Sequence, residues 1–178
     1  KLRDGIVNAL GQIDGTNFTS STPTTRNTWS ANNSDRILYG DNTGNYSATF
    51  ATATFAISAA ESLTPNILSL MKRMAQAASP KVKPVYVKEM DQEWYVAWVG
   101  PRSWRDLNED NPTTNAMVLA NRDSRVRGVD NPLFTGDSLE WDGIIIRQLP
   151  EIATLETSLS SSGVVLEPVY LCGAQAIG

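Results

Sequence analysis

The densest acidic group in the sequence is Asp106, Glu109 and Asp110, just after Trp104-Arg105. Asp106-x-Asn108-x-Asp110 opens like a calcium loop, in which alternating oxygens ligate one ion around a tight glycine turn at the sixth place. Here the sixth place is Asn111, and the twelfth, where a bidentate Glu closes the shell, is Met117. Calcium is not expected. Asp106 and Asp110 are four apart and could share a helix face as acid and base, but carboxylates so placed are ordinarily solvated. The turn Gly100-Pro101-Arg102-Ser103-Trp104 lacks the Gly-Lys-Ser/Thr ending of a phosphate loop. Trp98, Arg102, Trp104 and Arg105 interleave rings and cations as a nucleic-acid stacking platform does, yet Trp98, within an apolar strand, and Trp104, on the helix after it, are both needed by the core. Cys172, in Tyr-Leu-Cys-Gly, reads as a small apolar strand residue rather than a nucleophile. These residues give no catalytic group, cofactor or metal.

Composition points the same way. The chain of 178 residues has no His and a single Cys, which removes Ser-His-Asp and Cys-His catalysis, His-ligated zinc and intrachain disulfides. The expected compartment is reducing. Charged residues are 19% against 41% hydrophobic, and Ser, Thr and Asn are abundant, so much of the polar surface is neutral. A surface of that kind suits a protein covered by other protein. A net charge of -4 and a pI near 4.8 argue against gripping nucleic acid over the whole surface. No apolar run approaches the ~18 residues that span a bilayer, no signal peptide is visible, and no membrane partner is expected. A start at Lys1 without Met, and an ending in Gly-Ala-Gln-Ala-Ile-Gly, read as a piece of a longer protein.

The elements that must position these residues centre on 94–107. Trp94 to Val99 is rich in aromatic and β-branched residues, Gly100 stops it, and Pro101 suits the first turn of a helix with Trp104 and Leu107 on one face. Residues 1–10 have helical spacing at Leu2, Ile6, Val7 and Leu10. The stretch 11–46 turns to Thr, Ser, Asn and Gly and reads as a long loop or arm. Its sequons at Asn17, Asn32 and Asn45 read as coincidences of that composition. Residues 47–57 are ambiguous between strand and turn. Thr64 as N-cap, Pro65 at the first position and apolar residues at Leu63, Ile67, Leu70, Met71, Met74 and Ala78 predict a helix over 64–79, with Lys72 and Arg73 near its end. Residues 84–90 and 94–99 are expected to form a hairpin. Further expectations are a helix over 113–127 ending in Arg122, Arg125 and Arg127, and a rigid turn from Asp130 to Asp137. A turn and strand follow from Trp141, a polar loop fills 154–163, a last strand runs from Val164 to Cys172, and a helix opens at Gly173. The residues alone support an α+β chain without a recognisable active site.

An ordered series of short motifs resembles the major capsid proteins of tailed bacteriophages of the N-four-like type, which have the Hong Kong 97 capsid fold. The series is Leu63-Thr64, Val82-Lys83-Pro84, Tyr95-Val96 leading to Pro101, Asp106-Leu107, Asn131-Pro132-Leu133-Phe134-Thr135-Gly136, Asp142-Gly143-Ile144-Ile145-Ile146 and Leu171-Cys172-Gly173-Ala174-Gln175-Ala176. It covers about residues 60 to 178, and departs from the family where Gly100-Pro101 stands for the usual His-Pro. The resemblance implies a shell subunit with an arm or extended loop in 1–56, a peripheral-domain helix in 57–83 and an axial α+β region in 84–178, cut short at its C-terminal end. It implies self-assembly into pentamers and hexamers of a virion shell around double-stranded DNA, built in the bacterial cytoplasm. Scaffold, portal and decoration proteins are the other implied partners, and packaged DNA would touch the acidic wall only loosely. Arg102, Arg105, Asp106, Glu109, Asp110, Arg122, Arg125 and Arg127 are then candidate subunit contacts, with Asp123 as a further carboxylate. Asn131, Pro132, Phe134 and Gly136 are a candidate structural turn. A nanocompartment shell protein of the same fold, and a secreted glycan-binding or adhesin domain using Trp29, Tyr39 and Tyr46, are the alternatives.

Overall fold

An eight-residue strand, β4 (Gln92–Val99), is the hub of the protein. The computed structural model describes residues 2–13, 15–88, 91–108, 138–152, 154 and 163–174. Within them the order is α1 (Leu2–Leu10), a small hairpin β1 (Gln12–Ile13) and β2 (Thr16–Asn17), α2 (Pro23–Asn32), α3 (Phe50–Phe55), α4 (Pro65–Ala77), β3 (Val85–Val87) and β4. Then come α5 (Pro101–Asn108), β5 (Ser138–Trp141), β6 (Ile144–Gln148) and β7 (Tyr170–Cys172). β4 pairs antiparallel with β3 and β7 and parallel with β6, which carries β5 on its other side. Tyr95, Ala97 and Val99 alternate inward at 2%, 0% and 0% exposure, where they meet Ile144 and Ile146 of β6.

Sequence signals explain the elements that hold this sheet. Asp142 and Gly143 both have positive φ, 48° and 73°, the geometry of a two-residue hairpin turn whose twist matches its strands. Their turn joins β5 to β6 with Trp141 opposite Ile144. α4 begins as expected, with the Thr64 side chain accepting from the Ile67 amide, and lays Ile67, Leu68 and Ala75 on the core. Leu68, absent from the expected apolar face, is fully buried. Lys72 and Arg73 fall short of the last turn. Lys72 instead reaches the β5–β6 turn, where its ammonium donates to the Asp142 carbonyl and pairs with the Asp142 carboxylate at 3.0 Å. Trp141 adds an indole hydrogen bond to Ser69 Oγ at 3.2 Å.

Several expectations are corrected. The stretch 11–46 is not a plain loop, and 47–57 is neither strand nor turn but carries α3. α2 starts at Thr22-Pro23, with the Thr22 hydroxyl accepting from the Thr25 amide. A second small core holds Tyr39, Phe50 and Ala53, with Phe18, Ile37, Tyr46 and Ile57 packed on it. It is built around the fully buried Ser30, whose hydroxyl shares 2.9 Å hydrogen bonds with the Tyr39 hydroxyl and the Ser47 carbonyl. Asn27 accepts from the Phe50 amide at 2.9 Å and Asn45 donates to the Tyr39 carbonyl at 3.1 Å. Asn and Ser side chains here satisfy backbone that a longer helix or sheet would otherwise pair. The last strand is shorter than expected, Tyr170–Cys172, because Pro168 has no amide to offer a ladder. Trp98 does not enter the core: it lies with Trp94, Val96 and Ile145 on the opposite, half-buried sheet face.

The two cores are fastened at Asp35 and Arg36. The Asp35 carboxylate accepts from the Ser79 amide at 2.7 Å, and the Arg36 guanidinium donates to the Ser79 carbonyl at 2.8 Å. The Arg36 hydrogen bond, then that from Ser79, holds the Asp35 pKa down from 3.8 to about 2. A carboxyl lowered in the folded state adds stability above its unfolded pKa and loses it as pH falls toward the folded value. The unfolding midpoint is therefore expected to drop between about pH 4 and pH 2. Asp35→Asn should flatten that part of the profile in thermal unfolding at stepped pH; an unchanged slope would rule the clamp out as its source.

Candidate functional site

α5 is the described element that carries the candidate contact residues. β4 ends at Val99, Gly100 passes the chain through the buried layer, and Pro101 opens the helix with its fixed φ and missing amide. The Trp104 amide closes the first turn onto the Gly100 carbonyl at 2.9 Å. The pattern is strongly two-sided. Ser103 and Leu107 are buried at 6% and 0%, and Trp104 packs on the main core. Arg102 and Arg105 are exposed on the outer side, three residues apart and so neighbours on one face. Arg105 also lies in the last turn, where the helix dipole favours a cation. Neither guanidinium has an ion-pair or hydrogen-bond partner among the described residues, whereas Arg36 and Lys72 each have a carboxylate within 4 Å. Asp106 is half-buried on the same helix.

The helix brings together three of the eight expected contact residues: Arg102, Arg105 and Asp106. Glu109, Asp110, Arg122, Arg125 and Arg127, Asp123, the expected helix over 113–127 and the turn of Asn131, Pro132, Phe134 and Gly136 all lie outside the described residues.

One residue that the sequence reading passed over joins the site. Glu167 reaches the start of α5 from the segment before β7, and its carboxylate accepts from the Arg102 amide at 3.2 Å and the Ser103 amide at 2.6 Å. Those amides have no partner inside the helix, and an anion suits the positive end of the dipole. No sequence signal announces this, since a cap is ordinarily sought in the residue just before the helix.

Burial pushes the Cys172 thiol up, away from a reactive thiolate. Among the described residues no group of three His, Cys, Asp or Glu stands close enough to hold a metal ion, and no helix is long and apolar enough to cross a membrane. What the arrangement can do is bind a surface: two outward cations on a short, well-seated helix are ready for carboxylates that the described part of the chain does not supply.

Comparison with known proteins gives this reading a context. No curated protein matches the chain. The chain is similar to one in the capsid asymmetric unit of cyanophage Pam1, at 36% identity and a TM-score of 0.80, with 98% of this chain covered. It covers 50% of that chain, so it spans about half the length of the Pam1 capsid chain. Residues 4–178 match the family model described as phage capsid protein, which extends the resemblance from 60–178 to nearly the whole chain. The α+β architecture around β4 is thus a phage capsid fold, and the chain belongs to the phage capsid protein family.

Proposed function

We propose that the protein is a structural shell subunit, without catalysis of its own, that assembles with copies of itself into the pentamers and hexamers of an icosahedral phage head. The observation that carries this is the superposition of 98% of the chain on a capsid chain at a TM-score of 0.80 and 36% identity. In this reading α4, within 57–83, belongs to the peripheral part of the subunit and 84–178 to the axial part. Residues 1–56, with their own small core, form the segment that laps over a neighbour. The net charge of -4 suits a wall along which double-stranded DNA is packed without sticking. Assembly takes place in the host cytoplasm, with scaffold, portal or decoration proteins as further partners.

Electron microscopy and sedimentation of the full-length gene product are the test. Closed shells or five- and six-membered rings are the expected result. A folded monomer at high concentration, with or without a scaffold protein, would overturn the reading, and shells that co-purify with an enzyme instead of DNA would reassign it to a nanocompartment.

The contact reading of α5 has its own test. Arg102 and Arg105 meet carboxylates of an adjacent subunit, so Arg105→Glu should replace an attraction with a repulsion. The concentration needed for assembly at moderate salt is expected to rise about tenfold, with the difference shrinking as salt is added. Unchanged assembly and salt sensitivity in light scattering would remove α5 from the interface.

A further inference from the structure

Gly100 does not lie in the left-handed region, so its backbone conformation does not call for glycine. Space does. A Cβ built there would sit inside contact distance of Glu167 Cδ and Oε1, and 2.8 Å from Oε2. The carboxylate occupying that volume is the one that takes the Arg102 and Ser103 amides. Pro101 has no amide and Gly100 no side chain, so the start of α5 has no cap of its own. Glu167 supplies one from 64 and 65 residues away.

We infer that Glu167 is the positioning residue of α5: docked in the space that Gly100 leaves open, it sets the angle at which Arg102 and Arg105 stand on the surface. The latch closes a ring of three elements. β4 runs directly into α5, β7 pairs with β4 through Trp98 and Tyr170, and Glu167 ties the approach to β7 back to the helix. Without it α5 keeps the end of β4, the buried Ser103, and Trp104 and Leu107 on the core, but its first two free amides lose their acceptor and the first turn loses its link to the approach of β7. The consequence for assembly rests on the reading of Arg102 and Arg105 as subunit contacts, while the latch itself does not.

A double-substitution cycle in the full chain tests the pair. E167A is expected to lower the unfolding midpoint and to speed hydrogen exchange at the Arg102 and Ser103 amides about tenfold, the scale of a lost cap. G100A should give the same loss by evicting the carboxylate, and G100A combined with E167A should be no worse than E167A alone. E167Q, which keeps an acceptor oxygen, should recover part of the protection. Additive losses, or unchanged exchange at the two amides in E167A, would overturn the latch. Assembly then tests the positioning role: E167A should shift the salt dependence of assembly in the same direction as R105E, by a smaller amount, with both arginines intact. A wild-type salt dependence in E167A, where R105E changes it, would overturn that role. No change in R105E itself would instead count against the contact reading and leave amide exchange as the judge of the latch.

Discussion

Gly173→Ala is expected to cost about 3 kcal/mol of folding stability, a loss of overpacking joined to a broken hydrogen bond. A Cβ on Gly173 would fall inside contact distance of the Lys83 carbonyl oxygen, 3.0 Å from its carbon and 2.9 Å from Val82 Cγ1. A flexible side chain could give way. This obstacle is mostly backbone, and that backbone is tied on several sides. The Val82 amide bonds the Ala75 carbonyl at 3.0 Å, the Val82 carbonyl accepts from the Tyr95 hydroxyl at 2.9 Å, and Pro84 restricts the residue before it. The contact itself is a hydrogen bond from the Ala174 amide to the Lys83 carbonyl at 2.7 Å, which an added methyl would pry open. Gly5→Ala is the control, because nothing lies within 4 Å of that position in α1. It should stabilise by about 0.5–1 kcal/mol through helix propensity alone. Denaturant unfolding of the two variants should show opposite signs; a neutral Gly173→Ala would mean that the 82–84 segment yields.

Where a local rule governed, the sequence was legible. β4 and α5 could be placed because a change from period two to helical spacing coincides with Gly100-Pro101, and α4 because Thr64-Pro65 is a helix start. The turn at Asp142-Gly143 follows from the few residues that accept a positive φ. α2 shows how the same rule can be overlooked. Thr22-Pro23 is the same cap and first residue as Thr64-Pro65, but the helix behind it has Trp29 as its one large apolar residue and so no stripe to read. Its stability comes from Ser30, Tyr39 and Asn27, polar groups that sequence patterning scores as loop. The orientation of Trp98 was missed for a related reason. Alternation in β4 yields two faces, Trp94-Val96-Trp98 and Tyr95-Ala97-Val99, and size favours the first. The structure buries the second, where the small Ala97 lets β4 lie close under its neighbours and Tyr95 can reach the Val82 carbonyl.

At the candidate site, legibility divides between face and partner. Arg105 was readable as outward because Leu107 and Trp104 fix which side of α5 is inward, but Asp106, expected to turn away with it, is half-buried and Arg102 stands out instead. Glu167, Lys72 and Asp142 were not readable, since each acts across 64 to 70 residues of chain with no periodic trace in the sequence. In the proposed role as a shell subunit, such long-range pairs serve to hold a shape. A shell subunit needs little chemistry at any one point, but each contact surface must stand at a fixed angle to the others, and closing charges across distant segments provides that.

Leu107→Ala is expected to cost about 3–4 kcal/mol, the upper range for emptying a fully buried leucine site. Leu107 is 0% exposed and belongs to the cluster that includes Tyr95, Val99, Ile144 and Leu68, so its removal opens a hole where sheet and helices meet. Collapse around the hole is limited, because α5 cannot sink while Pro101 and the end of β4 set its path and the Glu167 carboxylate holds its first turn. Against a total stability of about 5–15 kcal/mol, a loss of this size should be plain as a lower denaturant midpoint at unchanged slope. Leu107→Met, which keeps the volume, should recover most of it. The two anchors of α5 are then separable by experiment. E167A should loosen the amides of the first turn and change assembly with a modest loss of stability, whereas Leu107→Ala should weaken the whole core. If Leu107→Ala instead left global stability intact while exposing only α5 to exchange, the helix would be an appendage on the sheet, and the rigid placing of Arg102 and Arg105 that a shell contact requires would fail with it.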